Sequence, residues 1–222
     1  MKRACQLKSA LRHLSIVGLA AASSAALAGR PLSVDDAGTN AKGEGHVEVW
    51  AARAGGASSL SLSPAYALAD GLEIAALLAR DSTNDISGSA VQLKWLFSPS
   101  QDKGCNVGAS LGAARASGSG ASANVGFITG LLSCNATALG NLHLNLGSLK
   151  TSGQSAVGTW GVAIEREYGA VTPHIEWFGA QGSKPSWQVG ARGDIVKGIQ
   201  LDGSVGRGEG VTLYSVGMKF KF

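Results

Sequence analysis

The 222-residue chain is 45% hydrophobic and only 15% charged, with 32 glycines. An ordinary soluble domain carries roughly 25% charged residues and about 7% glycine. This apolar, weakly charged composition excludes a disordered chain, and no run of about 18 apolar residues provides a spanning helix in the body. A net charge of +4 and a pI near 9.1 pose the question of a polyanionic partner.

The first 28 residues answer it. Lys2, Arg3, Lys8 and Arg12 precede the apolar stretch Leu14 to Ala22, and Ala26-Leu27-Ala28 closes the segment with small residues. That order is the pattern of a cleaved secretory signal peptide. Its removal takes four bases and no acid, so 19 bases become 15 against 15 acids. A neutral mature chain has no cationic surplus for tracking phosphates, and no nucleic-acid partner is expected. The expected organisation is a signal peptide over 1–28, a periplasmic leader over 29–43 and one β-barrel over 44–222.

From Glu44 onward the hydrophobic pattern has period two, which signals strands with one apolar and one polar face. Twelve such segments are expected near 45–53, 58–68, 71–80, 87–97, 105–115, 123–133, 140–150, 156–168, 170–179, 185–195, 198–207 and 211–222, separated by Gly, Ser, Asp, Asn and Pro. Segment 123–133 alternates worst, because Ile128 and Leu132 oppose Phe127 and Leu131. Gly-Arg-Gly-Glu-Gly at 206–210 joins two strands and reads as a turn, not a phosphate loop.

Charged residues gather on the polar parity: Glu48, Glu73, Lys94, Glu165, Glu167, His174, Glu176, Arg192, Asp194, Asp202, Lys219 and Lys221. A soluble sandwich would also alternate, so three further features select an up-and-down transmembrane barrel. The C-terminal strand ends Tyr214, Val216, Met218, Phe220, Phe222, apolar at every second place, and resembles the insertion signal read by the bacterial barrel-insertion machinery. Aromatics on the apolar parity fall at strand ends, with Tyr66, Trp95, Phe97, Tyr168, Phe220 and Phe222 at one rim and Trp160, Trp177, Trp187 and Tyr214 at the other. Such girdles suit the two membrane interfaces. Finally, Arg53, Arg80, Arg115, Lys150 and Arg207 close five of the six upward strands, where they would meet lipopolysaccharide phosphates. Twelve strands return the chain to its starting side, as bacterial barrels require. The expected location is the outer membrane of a Gram-negative bacterium.

The mature chain opens Gly29-Arg30-Pro31-Leu32-Ser33-Val34-Asp35-Asp36-Ala37-Gly38-Thr39, followed by Gly43 and a strand beginning His46-Val47-Glu48. This leader resembles that of the outer-membrane barrels linked to the meta pathway of phenol degradation. The resemblance implies a transporter of aromatic or other small compounds. It covers about 20 residues directly, and this chain is shorter, with very short outer loops. Asp35 and Asp36 either dock to lumen cations such as Lys219 or Lys221 or stay in a solvated leader.

Of His46, His143 and His174, the first and last form His-x-Glu pairs with Glu48 and Glu176, about 7 Å apart on one strand face, whereas a metal site needs three or four converging ligands. Neither a metal nor a cofactor is expected. An outer-membrane lipid-modifying enzyme would need a Ser-His-acid group at the lipid-facing outer rim, and the histidines stand low or mid-strand, so no catalytic residue is assigned. Cys105 and Cys134 remain in an oxidising compartment and are expected to pair across neighbouring strands at the periplasmic rim. Strict alternation sets Cys134 opposite Phe127 and Leu131, so the bridge is expected to need a bulge or turn distortion in the sixth strand. A channel for small solutes is the leading function; a structural barrel without transport is the alternative. With seven lumen acids against four bases, weak cation preference is expected.

Overall fold

The computed structural model describes residues 32–118 and 121–222; the signal-peptide segment falls outside them. Twelve strands are present: β1 Gly45–Ala54, β2 Ala57–Ala69, β3 Leu72–Asp81, β4 Ile86–Leu96, β5 Gly104–Gly118, β6 Ala121–Thr137, β7 Gly140–Thr151, β8 Val157–Glu165, β9 Thr172–Ala180, β10 Ser186–Val196, β11 Ile199–Gly208 and β12 Val211–Lys221. Each pairs antiparallel with its sequence neighbours, and β1 pairs with β12 to close the barrel. The seam ends in a reciprocal pair of bonds, Gly45 N–H to the Phe222 carbonyl at 2.8 Å and Phe222 N–H to the Gly45 carbonyl at 2.9 Å. Closure leaves no sheet edge unpaired.

Period-two patterning converts directly into an inside and an outside. Leu146 is 73% exposed on the outer wall, whereas Glu176 on the inner face is 0% exposed. All ten girdle aromatics, Tyr66, Trp95, Phe97, Tyr168, Phe220, Phe222, Trp160, Trp177, Trp187 and Tyr214, are exposed. Water would expel such a surface, since apolar area prefers an apolar solvent. Two-residue connections turn the strands where the sequence permits left-handed backbone. Glu209 and Gly210 both have positive φ (49° and 84°) between Gly208 and Val211, the geometry of a tight hairpin.

Three local expectations change. The eighth strand stops at Glu165, not 168, because Arg166–Val171 forms a turn held by the Tyr168–Val171 bridge. In β6 the inward residues are Phe127 and Leu131, the latter 2% exposed, while Ile128 faces out. Cys134 therefore shares the outward face of Ile128 and stands directly opposite Cys105 in register. The two form a disulfide with no bulge between β5 and β6; the one irregularity at Cys134 lies on the β7 side.

Candidate functional site

The inner wall is polar, and a buried polar group is costly unless it finds a partner. Several of those partners come from the leader. Residues 32–40 run inside the barrel, where Leu32, Val34, Asp35 and Ala37 are at most 4% exposed. The chain enters at the end where β1 begins, called the lower end here, with Gly43 N–H bonded to the Ala67 carbonyl at 3.0 Å.

The wall holds the leader largely by its main chain. Glu176 accepts the N–H of Ser33 on both oxygens (2.9 and 2.8 Å) and that of Val34 on Oε2 (2.7 Å). Gln188 also donates to Glu176 and, at 3.3 Å, to the Ser33 hydroxyl. Asn145 accepts the Asp35 N–H at 2.7 Å and donates to the Asp35 carbonyl at 2.8 Å. Ser133 accepts the Ala37 N–H at 2.7 Å, and Glu73 accepts both the N–H (2.9 Å) and the side-chain amide (2.7 Å) of Asn40. Bonds to an ionised acceptor are the stronger kind.

Charges are paired in the same space. Lys94 Nζ lies 2.7 Å from Asp35 Oδ1 and 3.7 Å from Asp36 Oδ1, and it donates to the Asp36 carbonyl at 3.3 Å. Lys219 pairs with Glu48 at 2.7 Å, and Arg192 with Glu165 at 2.7 Å. Burial pushes the Asp35 carboxyl up to about 6, even though Lys94 opposes the shift. A cavity of about 190 Å³ remains beside the leader, bordered by Asp36, Asn40, Glu48, Glu73, Lys94 and Lys219.

Of the residues picked from the sequence, Glu48, Glu73, Lys94, Glu165, His174, Glu176 and Asp202 are buried in the lumen. Arg192 and Lys219 reach into it half-buried, and Lys221 stands exposed at the lower mouth, bordering the same cavity. Glu167 does not line it, since it lies exposed in the β8–β9 turn; Asp194 is exposed near the lower end of β10, beside a register shift. Lys94, not Lys219 or Lys221, receives Asp35. Arg53, Arg80, Arg115, Lys150 and Arg207 are all exposed near the upper strand ends, with Arg80 bonded to Asp85.

Ser133, Asn145 and Gln188 were missed because the reading followed charge; their inward parity was the available signal. Ser133 also bonds His143 Nδ1 at 2.7 Å, and His143 Nε2 lies 3.5 Å from Glu165. This Ser-His-acid chain faces the leader, away from the lipid-facing rim. No cluster of three or more His, Cys, Asp or Glu side chains suited to a metal occurs among the described residues. Above the polar belt, Trp50 and Ala114 pack on Leu77 and Ala90, so part of the inner wall is apolar.

A family model described as Uncharacterised conserved protein UCP029691 matches residues 16–222. The resemblance to the phenol-degradation barrels thus rests on the leader motif alone. No curated protein matches the sequence. Among solved structures, the KdgM porin in complex with disordered oligogalacturonate superposes with a TM-score of 0.63 at 14% identity, covering 80% of this chain and 99% of that one. The NanC porin gives 0.59 at 13% identity over 79% and 100% of the two chains. The Acinetobacter baumannii outer membrane protein Omp33 gives 0.52 at 8% identity over 83% and 100%. At these identities the likeness establishes a porin-type barrel fold.

Proposed function

The chain belongs to the family described as Uncharacterised conserved protein UCP029691, and from its porin-type barrel we propose that it is a channel for small polar solutes in a Gram-negative outer membrane. One observation carries the reading: large apolar and aromatic side chains are exposed on the outside while Glu48, Glu73, Lys94, Glu176 and Asp202 are buried inside. That is the inverse of a soluble protein and the order of a membrane barrel with a polar path. Export uses residues 1–28 as a cleaved signal, and insertion uses the C-terminal strand β12 with its terminal Phe222. Arg53, Arg80, Arg115, Lys150 and Arg207 face the phosphates of lipopolysaccharide. The aromatic-solute reading of the leader motif is the narrower version, and the charged wall favours polar solutes over it.

The leader's path through the lumen favours a second reading, a closed structural barrel without transport. Outer-membrane fractionation with heat-modifiable gel mobility tests the location, and planar-bilayer recording separates the readings. A conducting barrel with weak cation preference supports the channel. Silence in both the native chain and a leader-undocked variant removes it.

A further inference from the structure

Deepening the channel reading, on which it rests, we propose that the wall beneath the leader is a binding site for short, extended peptides carrying an acidic residue, and that the leader is its tethered occupant. What the wall recognises is peptide chemistry. Asn145 takes both the N–H (2.7 Å) and the C=O (2.8 Å) of one residue, a two-point reading of the main chain on either side of its Cα. Glu176 collects two consecutive N–H groups, and Ser133 takes a third, two residues beyond the one that Asn145 clamps. Four of the five N–H groups over residues 33–37 are thereby bonded to side chains of the wall.

Side-chain selectivity comes from two places. Lys94 donates to a carboxylate oxygen of the clamped residue at 2.7 Å, which asks for Asp or Glu there. The preceding residue, Val34, lies against bare Gly161, next to Ala163 and Phe178, which asks for a small apolar group. The order read is therefore small apolar, acidic, then two residues to the next bonded N–H. A tethered segment occupies such a site at an effective concentration in the millimolar range or above. A free peptide must compete with that, and it enters when the leader leaves.

The test uses the full mature chain in detergent micelles. Asp35→Lys sets a second cation against Lys94 and undocks the leader without touching the wall. The probe is a fluorescent synthetic peptide with the sequence of residues 32–40, Leu-Ser-Val-Asp-Asp-Ala-Gly-Thr-Asn, followed by anisotropy. The Asp35→Lys chain is expected to bind it saturably. Adding Asn145→Ala should weaken binding tenfold or more, since both hydrogen bonds to the clamped residue's main chain are lost. A scrambled peptide should bind at least tenfold more weakly. Should Asp35→Lys fail to give a heat-modifiable barrel, Val34→Glu, which opposes Glu176, undocks the leader instead. No saturable binding by a folded undocked chain overturns the proposal, as does equal affinity for the scrambled peptide. Binding is read without conductance, so a barrel that binds peptide but is silent in bilayers sinks the channel and not this site; a conducting barrel that ignores the peptide does the reverse.

Discussion

Gly161 offers the sharpest test that the leader occupies the lumen in solution. It faces inward on β8, between Asn145 of β7 and Phe178 of β9 in register. A Cβ built there would stand 2.7 Å from Val34 Cγ2 and 3.5 Å from Val34 Cγ1. Val34 has a single stiff side-chain torsion and is 1% exposed, so rotation offers little relief. The wall cannot yield easily either, because β8 is hydrogen-bonded on both sides. Overpacking of this kind costs roughly 1–3 kcal/mol, and Gly161→Ala should place that cost on the docked leader. Amide hydrogen exchange reads it directly, since the N–H groups of Ser33, Val34, Asp35 and Ala37 are bonded only when the leader is docked. Their protection should fall roughly 5- to 150-fold, at 1.4 kcal/mol per tenfold, while the strands keep theirs. Gly126→Ala is the internal control, because a Cβ at this outward position meets nothing within 4 Å. Unchanged leader protection in Gly161→Ala, or equal loss in Gly126→Ala, would refute the docked arrangement.

Acidification supplies an independent probe. Asp35 has a carboxyl near 6 when docked against an ordinary 3.8, so the docked leader holds the extra proton between those values. Docking should therefore strengthen as pH falls from about 6 to about 4, seen as slower leader exchange after correction for intrinsic rates, and Asp35→Asn should flatten the profile; faster corrected exchange at pH 5 than at pH 7 would show that the ionised Asp35–Lys94 pair dominates, Asp36 and Glu73 being the other charges facing it. Replacing Cys105 and Cys134 by Ser removes a link across 29 positions, worth about 3–4 kcal/mol on the loop-closure model, and should lower the denaturant midpoint without changing heat-modifiable mobility, because the two strands remain in register. Deleting Phe222 removes the reciprocal bonds to Gly45 and the ring packed against it, and should slow membrane assembly measured by the folded band in a time course; an unaltered rate would detach the terminal aromatic from insertion.

The strands were legible because a two-sided wall imposes its period on every residue. All twelve appear, and most boundaries fall within a residue or two of expectation. Failure came where one face broke the rule. Phe127 is apolar yet inward, its ring lying over Gly112, where an added Cβ would be 2.4 Å from Cζ. Such a glycine–aromatic pair satisfies packing inside the lumen, and it cannot be read from one strand. The same mismatch misplaced Cys134. Leader contacts were less legible still. Asp35 and Asp36 announced a search for cations, but choosing Lys94 over Lys219 requires knowing the angle and depth at which the leader crosses, which closure sets and alternation does not. Glu167 and Asp194 show the opposite error, extending parity past the point where the strand ends or slips.

The lumen's charges also change meaning once the leader is placed among them. Burying an ion costs several kcal/mol unless a partner is supplied. Glu48 and Glu165 find theirs on the wall, in Lys219 and Arg192. Lys94 takes Asp35, and Glu176 and Glu73 take leader N–H groups. A count of acids and bases along the strands therefore describes neither state of the path. With the leader docked, much of the charge is neutralised and the section is narrowed. With it withdrawn, Lys94, Glu73 and Glu176 lose these contacts together and become the groups a solute would meet. On the proposed channel function, a solute bound at Lys94 or Glu176 would compete with the leader for those atoms and should lower the exchange protection of residues 33–40. The 190 Å³ cavity offers no way round this, because Asp36, Asn40, Glu73 and Lys94 themselves border it.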